Sequence, residues 1–166
     1  MATPWQDITD KFFDMIEEDA GFFNYYNLSD GESMTLALQR AQSMLKEAAT
    51  RMSLECDSDV DFTDYYENED GELYFTADLT QNEEHLLASL TYEAFLRRDI
   101  AKLRAFSHKY TPVDLQVFSP ANDRKTFMQM YDQLCQENRL LLDRYKSKDR
   151  ITGTMKQIDY ASYEDE

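Results

Sequence analysis

Apolar residues recur at helical spacing in four separate stretches, and each stretch predicts a helix. The first covers residues 4–19, where Ile8 and Phe12 share one face. Thr3 is its predicted N-cap and Pro4 its first helical residue, because proline fits a position whose N–H has no helical partner.

The next two predicted helices each begin at a capping box, in which a hydroxyl residue and a glutamate satisfy each other's backbone N–H. The second helix covers residues 29–53 and starts from Ser29 and Glu32. Its predicted buried stripe consists of Met34, Leu38, Ala41, Leu45, Ala48 and Met52. The third covers residues 80–106 and starts at Thr80. Its stretch LLASLTYEAFL is apolar on nearly all sides, which predicts the central buried helix.

The last predicted helix takes Ser119 as its N-cap and Pro120 as its first helical residue. Its apolar seam steps alternately by four and three residues through Phe127, Tyr131, Leu134, Asn138, Leu141 and Tyr145. Asn138 either sets the register of the seam or lies at a wet edge. The helical pattern then stops, which predicts a domain over residues 1–146 and a tail over residues 147–166.

An acidic stretch separates the second helix from the third. Residues 55–72 contain nine acidic residues and no basic one. Two strand-like runs, VDFTDYY and ELYFTADL, flank the turn signal Asp70–Gly71. We therefore predict an acidic β-hairpin or extended arm over residues 55–78. The expected fold class is mainly α, a small bundle of about four helices with this hairpin or arm and an extended C-terminal tail.

Composition agrees with a folded helical domain, since the 166 residues include 11 Tyr and 10 Phe but only 4 Gly and 3 Pro. The N-terminal residues lack the basic and apolar regions of a secretory signal, and no apolar run is long enough to span a bilayer. The sequence thus predicts synthesis in the cytoplasm and no membrane partner. Cys56 and Cys135 are predicted to be reduced thiols, with Cys135 a small core side chain.

The net charge of −16 is distributed unevenly. Residues 1–96 contain 22 acidic and 4 basic residues, a net charge of −18, while residues 97–166 contain 11 acidic and 13 basic residues. A surface that grips a nucleic-acid backbone must be basic, so the first part of the chain is predicted to repel DNA.

No residue pattern marks a catalytic, metal or cofactor site. DSDVD at residues 57–61 imitates the start of a calcium loop, but its sixth position is Phe62 instead of glycine and its twelfth is Asn68 instead of glutamate. His85 and His108 lack ligand partners at zinc spacing. Nucleophile motifs and phosphate-binding glycine loops are missing too. We predict a protein that is not an enzyme and needs no cofactor.

Three stretches, taken in order, resemble the head–tail connector proteins of tailed bacteriophages, also called adaptor or neck proteins. They are LSDGESMTLALQRAQSMLKEA, LYFTADLTQNEEHLLASLTYEAFLRRDIAKL and VFSPANDRKTFMQMYDQLCQENRLLLDRYKSKD. The resemblance covers about residues 4–150 and lies in the order of parts, without a catalytic signature. It departs at the acidic stretch 55–72 and at the acidic end of the tail.

The resemblance implies a structural virion protein of the neck, between capsid and tail. Family members form a ring, usually of twelve copies, beneath the portal protein. The ring extends the DNA channel and presents a platform for a head-closure or tail-terminator protein. Genomic DNA is expected to pass through without specific binding, since an acidic lumen lets it slide.

Three sets of residues follow as candidates. In the family, the segment after the last helix docks on the portal, and the expected anchors here are Lys148, Arg150, Ile151, Met155, Ile158, Tyr160 and Tyr163. Basic residues that end the third helix are expected to contact the next subunit: Arg97, Arg98, Lys102 and Arg104. The acidic stretch is expected to form a lumen or platform loop, with an outer solvated loop as the open alternative: Asp57, Asp59, Asp61, Asp64, Glu67, Glu69 and Asp70.

Two other functions stay open. A small acidic protein can inhibit a nucleic-acid enzyme by mimicking DNA through its array of carboxylates. A tail-assembly protein would share much of the same sequence character. Stoichiometry separates the first alternative from a connector, because a mimic binds one enzyme as a monomer or dimer while a connector forms a ring.

Overall fold

The computed structural model describes residues 2–16, 29–56, 58–107 and 120–156, with the side chains of all these residues except 99, 101–107 and 120–124. The described residues form four helices and one small sheet: α1 (Trp5–Met15), α2 (Asp30–Glu55), α3 (Gln81–Ser107), α4 (Pro120–Ser147), β1 (Thr3–Pro4), β2 (Tyr65–Glu67) and β3 (Leu73–Phe75). The predicted fold class, a mainly helical bundle with a hairpin, is confirmed.

The start of α1 differs from the prediction. Pro4 is the N-cap, and Thr3 lies in β1, paired antiparallel with Phe75 of β3. The buried Thr3 hydroxyl accepts a hydrogen bond of 2.8 Å from the backbone N–H of Leu79. Pairing with a strand about seventy residues away therefore outweighs the local capping preference. Residues 17–19 of the predicted helix lie outside the described part.

Both predicted capping boxes are confirmed. The Ser29 hydroxyl accepts from the Glu32 backbone N–H at 3.4 Å, and the Glu32 carboxylate accepts from the Ser29 backbone N–H at 3.0 Å. At the start of α3, the Glu83 carboxylate accepts from the Thr80 backbone N–H at 2.7 Å, and Thr80 Oγ1 accepts from the Glu83 N–H at 3.4 Å. Helices α2 and α3 therefore begin where the sequence predicts.

The predicted buried stripe of α2 is wrong at its first two positions. Met34 is 56% exposed and Leu38 is only half-buried, while Ala41, Leu45, Ala48 and Met52 are buried as predicted. The inward positions at this end of the helix are instead Ser33, Ala37, Ala41 and Met44. Phe12 and Phe95 occupy the facing space in the same core cluster, so small side chains fit opposite them.

α3 is the central helix, as predicted, and contacts α1, α2 and α4. Its apolar residues divide between two core clusters. One cluster lies near the sheet and contains Trp5, Phe62, Phe75, Leu87 and Leu142 among others. The other lies further along the bundle and contains Phe12, Met44 and Phe95. No helix in the described ranges is long and apolar enough to cross a membrane.

The sheet has the order β1-β3-β2, with both pairs antiparallel. The β2–β3 hairpin confirms the predicted hairpin, and Gly71 in its turn has φ +82°, a conformation that favours glycine. Trp5 packs beneath the sheet, with ring centroids 4.8 Å from Tyr65 and 5.2 Å from Phe75. The Lys46 ammonium of α2 lies 5.2 Å from the Tyr65 ring centroid, which attaches the hairpin to the helices.

We expect Leu142→Ala to lower the free energy of unfolding by about 3 kcal/mol, because it opens a cavity in a closed core. Leu140→Ala, two residues away on α4, should change it by less than about 0.5 kcal/mol, since that side chain is 58% exposed. Urea unfolding followed by circular dichroism measures both. Equal losses in the two variants would contradict the position of α4 in the bundle.

Candidate functional site

Glu83, in the first turn of α3, is a fully buried carboxylate. Its Oε1 accepts hydrogen bonds from Tyr145 Oη at 2.6 Å and from Arg150 Nε at 2.9 Å. Its Oε2 accepts from Arg150 Nη2 at 2.9 Å and from the Thr80 N–H at 2.7 Å. Arg150 thus binds the carboxylate through two parallel hydrogen bonds, the strongest geometry of such a pair. The segment after α4 is therefore attached to the start of α3.

The environment of Glu83 sets its ionisation. Burial alone would raise the pKa of Glu83, but hydrogen bonds from Arg150, Thr80 and Tyr145 together hold this pKa below its ordinary value of 4.5. Burial and the adjacent Glu83 carboxylate raise the pKa of Tyr145. Glu83 is therefore ionised and Tyr145 protonated at neutral pH. Both carboxylate oxygens accept hydrogen bonds from donors of the same chain, which suits a structural role more than acid–base catalysis.

The residues after α4 form a tight turn around this ion pair. Lys148 and Met155 form a β-bridge, and Gly153 at the tip has φ +67°. The Asp149 carboxylate accepts from the backbone N–H groups of Ile151 and Thr152, which closes the turn from inside. Residues 148–156, which we call the C-terminal turn, are thus held against the bundle by their own hydrogen bonds and by Arg150.

A second buried carboxylate lies three helical turns further along α3. Glu93 accepts from Arg51 Nη1 of α2 at 2.6 Å and from Asn138 Nδ2 of α4 at 2.8 Å. Asn138 is fully buried, and its Oδ1 accepts from the Ser89 hydroxyl at 2.6 Å. The wet-edge alternative for Asn138 is therefore wrong. These hydrogen bonds form at only one position of α4 along the axis of α3, so Asn138 sets the register between the two helices.

The predicted docking residues fall into three groups. Arg150 is bound to Glu83 of its own chain. Lys148, Ile151 and Met155 are exposed on the C-terminal turn, Ile151 at 80% and Met155 at 65%. The remaining three predicted anchors, Ile158, Tyr160 and Tyr163, lie outside the described residues.

The predicted subunit-contact residues are partly engaged within the chain. Arg97 and Arg98 of α3 both form ion pairs with Glu47 of α2, the latter with 3.5 Å between nitrogen and oxygen. Two cations therefore share one carboxylate. The side chains of Lys102 and Arg104 lie outside the described part.

The predicted acidic loop presents its carboxylates to solvent. Asp59, Asp61, Asp64, Glu67, Glu69 and Asp70 are all exposed, and Asp57 lies outside the described residues. The Asp61 carboxylate accepts hydrogen bonds from the backbone N–H and the hydroxyl of Thr63. Within the described ranges, no group of histidine, cysteine, aspartate and glutamate side chains is arranged to hold a metal ion. The two cysteines are free thiols, Cys56 buried and Cys135 half-buried.

A groove with a volume of about 440 Å³ lies between the start of α3, the end of α4 and the C-terminal turn. Its lining includes the apolar residues Leu86, Leu141 and Ile151. Arg144 and Lys148 line it as well and carry positive charge. Sequence reasoning missed this groove and assigned Glu83 only to a capping box, because its partner Arg150 is 67 residues away and no spacing rule connects them.

Comparison with known protein families, curated proteins and solved structures finds no match to this chain.

We expect Glu83→Gln to lower the free energy of unfolding by about 3 kcal/mol at pH 7, because it leaves the Arg150 charge without its carboxylate. A carboxylate whose folded pKa is lowered stabilises the fold above its unfolded pKa, and this contribution is lost as the pH falls through the folded pKa. The difference in the free energy of unfolding between wild type and variant should therefore shrink below pH 4.5. Urea unfolding at pH 7 and at acid pH measures it.

Glu67→Gln serves as the control for this experiment, because it makes the same change on the exposed strand β2. It should leave the free energy of unfolding almost unchanged at either pH. A Glu83→Gln gap that stayed constant down to acid pH would contradict an ionised, arginine-bound Glu83.

Asn138→Ala should destabilise the fold by about 2 kcal/mol, because it removes a buried partner from both Glu93 and Ser89. The same substitution in a Ser89→Ala background should lower the free energy of unfolding by less, because the Ser89 hydroxyl that would lose its partner is already absent. Gln133→Ala on the exposed face of α4 is the control and should be nearly neutral. Strict additivity of Asn138→Ala and Ser89→Ala in thermal or urea unfolding would argue against the network.

Proposed function

We propose that this protein is a head–tail connector of a tailed bacteriophage, a structural virion protein that acts by assembly and carries out no chemistry. In this proposal, copies of the chain form a ring, with twelve as the expected number, beneath the portal protein. The ring extends the DNA channel and carries a head-closure or tail-terminator protein on its other side. The chain would be made in the host cytoplasm and would function in the neck of the virion.

The C-terminal turn supplies the main support. The ion pair between Arg150 and the buried Glu83 fastens this turn to the bundle, yet Ile151 and Met155 remain exposed on it. Large exposed apolar side chains on a rigid segment are typical of an interaction surface. A docking segment held in position loses less conformational entropy on binding than a free one.

Charge supports the ring in a different way. Arg97 and Arg98 share the single carboxylate of Glu47, so these three side chains together carry one net positive charge. The β2–β3 hairpin and the residues just before it carry exposed acids from Asp59 to Asp70. Opposite charges at separate places on one subunit favour head-to-tail contacts, and such contacts form a ring where the rotation between subunits closes.

The exposed acids also bear on DNA. An acidic hairpin that faced the channel would repel the phosphate backbone and let the genome pass. The same array is the feature that would support a DNA-mimic inhibitor, which is the alternative function. A tail-assembly protein is the third possibility, and it would bind tail components without binding a portal.

The decisive experiment is electron microscopy of the purified protein, alone and mixed with its cognate portal protein. We expect particles with rotational symmetry, about twelve copies stacked on the portal. A ring seen only in the mixture would mean that the portal templates assembly. Monomers that bind no portal would overturn the proposal and favour an inhibitor of a nucleic-acid enzyme.

Two variants locate the contact. Ile151→Asp combined with Met155→Asp should abolish portal binding while leaving the fold intact, because both side chains are exposed. Leu54→Asp is the matched control, since Leu54 is 82% exposed but lies near the end of α2. A chain that ends at Lys156 keeps the Arg150–Glu83 pair and so tests Ile158, Tyr160 and Tyr163 without disturbing the bundle.

A further inference from the structure

The groove beside the C-terminal turn combines an apolar lining with free positive charge. Leu86 and Leu141 come from the facing helices, and Ile151 comes from the turn. Arg144 and Lys148 are exposed at its side, and neither has an ion-pair partner among the described side chains. Such a groove suits a peptide that alternates apolar or aromatic residues with acids.

These two cations contrast with other basic residues of this acidic protein. Lys11, Arg51, Arg97, Arg98 and Arg150 each form an ion pair with a glutamate of the same chain. The one acid that lines the groove, Asp149, directs its Oδ1 to N–H groups of its own turn. The electrostatic field of Arg144 and Lys148 in the groove therefore remains available to an outside carboxylate.

We propose that residues 157–166 of the same chain bind back into this groove. The segment reads QIDYASYEDE and contains four acids, one isoleucine and two tyrosines, with no basic residue. Its acids complement Arg144 and Lys148, and Ile158 and the tyrosines suit the surface of Leu86, Leu141 and Ile151. The groove and the segment thus match in both charge and apolar character.

Position favours the same chain over any other source. The backbone N–H of Lys156 donates to the Ser147 carbonyl at 2.9 Å, so the segment begins beside the end of α4. Ten extended residues reach about 33 Å, which is ample for a groove at their own origin. A short tether gives an effective concentration in the millimolar range, so each contact can be weak.

Binding of this segment would cover Ile151 and neutralise Arg144 and Lys148. The contact is proposed for the isolated chain, and it does not depend on the connector function. If the connector function also holds, the segment would have to leave the groove before its tyrosines reach another protein. The groove would then act as an internal competitor for the docking segment.

Nuclear magnetic resonance of the full-length protein in dilute solution tests this proposal. We expect heteronuclear NOE values of residues 157–166 well above those of a free terminus at 25 mM salt, falling to free values at 500 mM salt. Arg144→Glu combined with Lys148→Glu should lower the NOE values of residues 157–166 to those of a free terminus already at 25 mM salt. It should also shift the amide signals of residues that line the groove. Both substitutions are on exposed side chains and should leave the fold intact.

Lys125→Glu combined with Arg139→Glu is the matched control, since it makes the same charge change at exposed positions of α4 outside the groove. It should keep the wild-type NOE values. Free values in the wild type at low salt would overturn the proposal, as would an equal loss in both double variants. NOE values that rise with protein concentration would overturn it too, because they would assign the segment to the groove of a second copy.

Discussion

The ionised state of Glu83 is the constraint on which this architecture depends. A carboxylate removed from water is tolerated only when donors replace its hydration, and here they come from three places in the chain. Thr80 provides the helix start, Tyr145 provides the end of α4, and Arg150 provides the segment beyond it. Burying one acid therefore fixes three elements relative to each other. The same hydrogen bonds explain why the C-terminal turn, which lacks apolar periodicity, is held against the bundle.

α3 repeats this arrangement further along its length. Glu93 brings together Arg51 of α2 and Asn138 of α4 in the same way that Glu83 brings together Thr80, Tyr145 and Arg150. Apolar packing alone permits helices to slide by a residue or a turn, whereas two polar networks ten residues apart permit one position. The buried core of the described residues includes six alanines, which offer little side-chain shape, and two methionines, which are flexible, so such networks supply specificity that side-chain shape does not.

Local signals predicted the helices and the hairpin well, because capping boxes and turn glycine act within a few residues. Both boxes, the turn at Gly71 and the seam from Phe127 to Tyr145 are where the sequence places them. The failures concern contacts between distant residues. Thr3 fits a helix N-cap by every local rule but pairs with Phe75, and Met34 fits a helical stripe but points away from the core. The Arg150–Glu83 pair belongs to the same class, since its partners are too far apart in sequence for any periodicity to connect them.

The pairing of β1 with β3 has a consequence for how the chain folds. During synthesis, residues 3 and 4 leave the ribosome long before Phe75 and Tyr74, the residues that they pair with. Trp5, directly after β1, likewise waits for Phe75 to complete its surroundings. The hairpin can close by itself through local contacts, but the sheet and the core beneath it depend on this long loop closure. β1 and Trp5 are therefore among the last parts of the fold to be secured, and a nascent chain from which Phe75 has not yet emerged would expose Trp5 to other proteins.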